Sequence, residues 1–207
     1  MPPVTAARAR DLETWSPFTR IREVGKDAAA AREAWLRSSK CRGLQAGREG
    51  HVAEAIRLLE EARHQIRWSD PEIDSNLAEL RTIRRLERRL EVSPNDINVL
   101  IQLGKAYFSQ ERSDDSLRTF RRAADLAPNC AEAHTHLAME LHLRGAHEEA
   151  AAAYRRALDI NPREFNAVVY YADLLCGRPL GTGLLELTPV QVYARAVPVV
   201  NQALRAS

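Results

Sequence analysis

From residue 97 to 164 the apolar positions recur at helical spacing, and the whole pattern then repeats one step of 34 residues later. Leu100, Leu103, Gly104 and Tyr107 fall at i, i+3, i+4 and i+7, one face of a helix. Ser116, Phe120 and Ala123 mark a second such face. After 131 the order is His134, Leu137, Ala138 and Leu141, then Ala150, Tyr154 and Ala157. The stretches between, QERSDD and RGAHEE, are polar and helix-breaking, as short helix–helix connections are. Pro94, Pro128 and Pro162 close successive units, because proline cannot continue the preceding helix. The small residues also pair across the step: Gly104 with Ala138, Ser116 with Ala150, Ala123 with Ala157. Helices that pack at close range need small side chains where their axes approach, and large ones such as Phe120 and Tyr154 fill the remaining groove. The pattern predicts antiparallel helix pairs stacked as repeats.

On either side the repeat degrades. GLQAGREGHVAEAIRLLEEA carries Gly43, Gly50, Ala55, Leu59 and Ala62 at the spacing of one degenerate unit. SDPEIDSNLAELRTIRRLERRLEV reads as one long helix with Asp70 as N-cap and Pro71 at its first position. Its stripe is Ile73, Leu77, Leu80, Ile83, Leu86 and Leu90, and it comes into phase with the repeats only at its end, where Arg89 stands in place of alanine. After Pro162 come Val168, Tyr171, Ala172 and Leu175. The phase is then lost in GRPLGTGLLEL and returns, twelve residues late, with Ala196, Val200, Ala203 and Leu204. Thr188 and Pro189 are expected to open the last helix, and Pro198 to kink it. The expected organisation is an extended arm over 1–30, a degenerate helix pair over 31–69, a linking helix over 70–93 and a repeat core over 94–207. Within that core, repeats 97–130 and 131–164 are clear, and a fourth over 165–205 carries an insertion at about 177–188.

The segment 97–130, through Leu103, Gly104, Tyr107, Phe120, Ala123 and Pro128, resembles the tetratricopeptide repeat family, whose repeat has the same length. Leu100 replaces the usual tryptophan and Ser116 the usual alanine. The segment 131–164 matches at Leu137, Ala138, Ala150, Tyr154, Ala157 and Pro162, and departs at His134. The resemblance implies an all-α fold: a right-handed α-solenoid of about four antiparallel helix pairs with degenerate terminal units. It also implies that the first helices line a concave groove holding a peptide or helix of a partner protein. Carried over by position, the groove is Asn98, Ile101, Gln102, Lys105 and Phe108, then Glu132, Thr135, His136, Met139 and His142, then Asn166, Val169, Tyr170 and Asp173. Members that grip a C-terminal carboxylate do so with lysine, asparagine and arginine. Here Asn98 and Asn166 are compatible, while Glu132 would repel a carboxylate. A groove of apolar anchors and neutral polar groups suits a peptide that inserts apolar side chains. The alternative is that several of these residues pack against the chain's own termini.

Composition narrows the chemistry. A net charge of +2 gives no reason to expect nucleic acid or a membrane surface, and no apolar run approaches the roughly 20 residues of a membrane helix. Cys41, Cys130 and Cys176 lack any CxxC spacing, which favours a reducing compartment. A cytoplasmic location is expected; the alternative, an organelle lumen or matrix after import, follows from an acid-free start with Arg8 and Arg10, although Asp11 and Glu13 come directly after. Cys130, His134, His136 and His142 invite a zinc reading, but His136 points away from the face shared by Cys130 and His134, so no metal is expected. Gly181-Thr182-Gly183 lacks the lysine and the spacing of a phosphate loop, and nothing groups a nucleophile with a base; no catalytic residue and no cofactor are expected. The RRLERR run at 84–89 is interleaved with acids and reads as a solvated face.

Two features suggest burial against something further. The last helix has a polar strip at Gln191, Arg195, Gln202 and Arg205, and an apolar arc, with Val192 and Val199, too wide for one neighbour. The arm carries Trp15 and Phe18 around Ser16-Pro17. These four residues form a possible second interface, covered either by the chain itself or by a partner. The expected function is a non-catalytic scaffold or adaptor binding another protein. The alternative is a permanently buried structural subunit of a larger complex.

Overall fold

The computed structural model describes residues 39–65, 69–180 and 189–206, and every regular element among them is helical. The predicted arm, with Trp15 and Phe18, lies outside the described residues, as does most of the predicted insertion. The helices are α1 (Ser39–Arg48), α2 (Val52–Gln65), α3 (Pro71–Val92), α4 (Ile97–Ser109), α5 (Ser113–Leu126), α6 (Ala131–Leu143), α7 (His147–Ile160), α8 (Phe165–Leu175) and α9 (Pro189–Ala206). Each packs mainly on its sequence neighbours, and α8 also reaches α6, the first helix of the preceding unit. That nearest-neighbour arrangement is a solenoid of helix pairs. No described helix is long and apolar enough to cross a membrane.

The pairs interlock as the small residues require. A Cβ added at Gly104 of α4 would lie 2.5 Å from Cε1 of Phe120 in α5, so the ring sits directly on the glycine backbone. Gly43 of α1 repeats the device against Leu59 of α2, where an added Cβ would come within 2.7 Å of Cγ. The serine at the expected alanine position has its own use: Ser116 is fully buried, and its Oγ donates to the Gly104 carbonyl at 3.0 Å. In the next unit Ala138, Ala150, Tyr154 and Ala157 form one buried cluster with Val168, Tyr171 and Ala172 of α8 and with Ala196 and Val200 of α9. The twelve-residue displacement of the last helix therefore returns its apolar positions to the register that packs on α8.

Four helices end by turning through the left-handed backbone region, at Gly50, Glu111, Gly145 and Gly177. After α6, Gly145 N–H donates to the His142 carbonyl and Ala146 N–H to Leu141; after α4, Glu111 and Arg112 donate in the same way to Phe108 and Tyr107. These are Schellman closures, which satisfy the last carbonyls of a helix and favour glycine at the turning residue. Glu111 adopts φ 58° without glycine's freedom.

The long helix begins as predicted. Asp70 Oδ1 accepts from the backbone N–H of Glu72 at 3.1 Å and of Ile73 at 3.3 Å, and Pro71 occupies the first turn. Lys40 of α1 reaches Asp70 Oδ2 at 2.6 Å, tying the first helix to this start and holding the Asp70 carboxyl below its ordinary range. Ile73, Leu77, Leu80, Ile83 and Leu86 are all buried against α2 and α4. Arg89, at the alanine position, is exposed and reaches Asp96, the N-cap of α4, at 3.4 Å. The far end of α4 is tied back to α3: Tyr107 donates to Glu87 at 2.8 Å and Gln110 to Glu79 at 2.6 Å.

The helix α9 continues through Pro198. Its apolar arc is largely taken up by α8, with Ala196 and Val200 buried, Tyr193, Val197 and Leu204 half-buried, and Tyr193 stacked on Phe165 at 5.8 Å. Val199 is half-buried, and the side chain of Val192 lies outside the described part of the chain.

Candidate partner-binding groove

The first helices of successive units, α4, α6 and α8, carry the predicted groove positions. A direct contact joins two of them. Lys105 Nζ of α4 lies 2.6 Å from Glu132 Oε1 of α6, so these rows share one face. The hydrogen bond from Lys105 holds the Glu132 carboxyl below its ordinary range. Asn98, Gln102, Lys105, Glu132 and Asn166 are exposed on this face, Phe108 exposes 37% of its surface, and Tyr170 is half-buried.

Six of the predicted positions are buried: Ile101, Thr135, Met139, His142, Val169 and Asp173. Ile101 belongs to the core cluster of Leu100, Ala123, Ala124 and Ala133. Thr135 turns its hydroxyl to the Ala131 carbonyl of its own helix at 2.8 Å. Asp173, almost fully enclosed, has Arg178 Nε at 3.7 Å. His136 is half-buried and stacks on Phe120 with ring centroids 5.0 Å apart. Burial, with the nearby Lys105 charge, pushes its imidazole down to about 4, so it is neutral near pH 7 although Glu132 lies 3.7 Å away. Burial likewise lowers His142, whose ring meets Tyr154 and His147 edge-on.

His142 also lines a cavity of about 600 Å³ at the C-terminal ends of α6 and α8. His142, His147, Leu143, Leu174, Leu175 and Arg178 are among its walls. Leu143 and Leu175, absent from the predicted positions, are exposed large apolar residues. Each occupies the last turn before a Schellman closure, and that placement is the signal by which they could have been found. The zinc reading finds no support in the geometry: no group of three metal-ligating side chains converges among the described residues. Cys130 caps α6, and His134 Nε2 lies 3.1 Å from the Pro128 carbonyl.

A sequence-family profile described as "Tetratricopeptide repeat" matches residues 101–165. No curated protein matches the chain. Solved structures of MamA are similar at low identity. One described as "MamA MSR-1 C2" is 20% identical, covers 82% of this chain and 96% of its own, and superposes with a TM-score of 0.43. "Crystal structure of MamA" is 20% identical over 79% and 96%, with a TM-score of 0.46. "MamA AMB-1 P212121" is 19% identical over 80% and 95%, with a TM-score of 0.44.

Proposed function

We propose, from the match of residues 101–165 to the tetratricopeptide repeat, that this chain is a non-catalytic adaptor that holds another protein. It captures an extended or helical segment of a partner along the face formed by α4, α6 and α8. The observation that carries the reading is the shared surface of those helices. Lys105 and Glu132 neutralise each other across it, which leaves neutral polar groups and two partly exposed aromatics, Phe108 and Tyr170, as anchors. Aromatic anchors dominate interface energetics, and neutral polar groups around them fix register without repelling a carboxylate or an ammonium. The buried positions Val169, Met139 and Ile101 form the floor that supports this face.

The test is affinity capture with mass spectrometry to identify a partner, followed by titration of that partner against Phe108→Ala and Tyr170→Ala. Both variants are expected to weaken binding while leaving the melting temperature near that of wild type. Unchanged affinity in both would place the site elsewhere. Light scattering on the purified chain separates an adaptor from an obligate subunit: a well-behaved monomer fits the former, and obligate association fits the latter.

A further inference from the structure

The arginine run that reads as a solvated face in sequence is one wall of a cleft. Arg81, Arg84, Arg85, Arg88 and Arg89 stand at i, i+3, i+4, i+7 and i+8 on α3, one helical face. They line an open cleft of about 690 Å³ together with Ile56 and Glu60 of α2 and with Val92, Ser93 and Asp96 at the approach to α4. None of the groove positions lines it. The charges inside are unbalanced. Arg81 is held by Glu60 at 2.7 Å and Arg89 by Asp96 at 3.4 Å, one pair at each end. Between them Arg84, Arg85 and Arg88 are exposed and have no ion-pair partner among the described residues. Apolar side chains line it as well, Ile56 buried and Val92 84% exposed.

Three unpaired guanidiniums in one cleft, flanked by paired ones and lined also by apolar side chains, define a ligand. We propose that this cleft binds an acidic peptide segment, a partner helix that places glutamate or aspartate side chains on one face at i, i+3, i+4 and i+7. Guanidinium forks match carboxylates in two-point geometry, and successive arginines on α3 are spaced as carboxylates are on a facing helix. Ile56 and Val92 supply the apolar contact such a helix buries beside its charges. A nucleic-acid backbone fits less well. The carboxylates of Glu60 and Asp96 stand at both ends of the cleft, and no aromatic side chain lines it as a stacking platform. The two ion pairs fix Arg81 and Arg89 in place and set the length of the segment that fits.

The test uses the full chain and a fluorescein-labelled amphipathic peptide with glutamate at those four spacings, read by fluorescence anisotropy at low ionic strength. Binding is expected for this peptide and not for its glutamine counterpart, and it should weaken as salt rises. The triple variant Arg84→Ala, Arg85→Ala, Arg88→Ala should keep its melting temperature and lose at least about tenfold in affinity. Phe108→Ala should bind the peptide as wild type does. Equal binding by the triple variant, equal binding of the glutamine peptide, or loss of binding in Phe108→Ala would overturn the assignment. So would displacement of the peptide by oligothymidylate at a lower concentration than by the unlabelled peptide itself. The groove reading stands or falls on its own variants.

Discussion

Replacing Glu111 by glycine is expected to stabilise the protein. Glu111 is the turning residue of the closure after α4, with φ 58°, and it occupies the place that Gly145 fills one repeat later with φ 76°. A residue with a Cβ in this region carries a penalty of roughly 1–2 kcal/mol that glycine does not. Against that, glycine adds freedom to the unfolded chain worth about 0.4–1 kcal/mol. The substitution also removes the contact between Glu111 and Arg48, 3.3 Å apart with both side chains mostly exposed. Such a surface pair contributes only a few tenths of a kcal/mol, ~0.2–0.5. The balance is a gain of about 0.5 kcal/mol. The converse variant isolates the backbone contribution. Around Gly145 an added Cβ meets no atom within 4 Å, so Gly145→Ala changes backbone strain and unfolded-state freedom without a steric clash. It should cost about 1 kcal/mol, which in a chain of this size lowers the melting temperature by roughly 2–4 °C. Urea and thermal unfolding of the two variants against wild type are the assay. A less stable Glu111→Gly, or a Gly145→Ala that melts with wild type, would refute the strain assigned to these turns.

Two further outcomes follow from buried groups. Ala157 has no exposed surface and lies among Ala138, Ala150 and Tyr154, so Ala157→Arg forces both bulk and an unpaired charge between α6 and α7. It should cost at least about 3 kcal/mol in urea unfolding, and a wild-type midpoint would mean that the helices do not pair there. Glu140 is almost fully enclosed, with Oε1 unpartnered, and burial raises its carboxyl above the ordinary 4.5 despite Ser116 and Arg144, with Asp114 adding to the rise. The folded state then binds more protons than the unfolded one, so this group's contribution to stability is full below about pH 4.5 and is lost as pH rises through the folded value. Glu140→Gln cannot ionise; it should gain more stability relative to wild type at pH 7.5 than at pH 4.5. The same difference at both pH values would sink that reading.

The helix pairs were legible in sequence because packing acts through side-chain volume at fixed spacing. Gly104 opposite Phe120, and Gly43 opposite Leu59, are positions where a single added carbon has no room. The start of α3 was legible because an aspartate followed by proline satisfies the first N–H groups and presets the first turn. Glu111 carried no such signal of its own; only its separation of 34 residues from Gly145 marks it as a turning position. For the predicted groove positions, the helix face was legible but the burial was not. Helical periodicity assigns a side chain to a face, but how deep that face lies depends on neighbouring helices. Val169 and Asp173 are covered where α8 meets both α6 and α7, contacts that no single helix's pattern encodes. On α9, periodicity marked the apolar arc but not which neighbour meets it: α8 presents Phe165 as well as its core face, and Tyr193 stacks on that ring.

The place where the repeat breaks is also where the unbalanced charge collects, and the two have one cause. At 22 residues α3 extends about 33 Å, while the 13 residues of α4 extend about 20 Å. A helix that overruns its neighbours buries one stripe and leaves a long outer face with no second helix to cover it. Its inner stripe, from Ile73 to Leu86, is out of phase with the repeats, so the position that would hold a packing alanine holds Arg89 and faces outward. Arg89 instead lines the cleft, and its pairing with the N-cap Asp96 ties that end of the cleft to the start of the regular repeats. Because contacts in the solenoid run only between near neighbours, removing the three unpaired guanidiniums should leave α6 and α8 as they are. That independence is what makes the cleft and the groove separable by mutation.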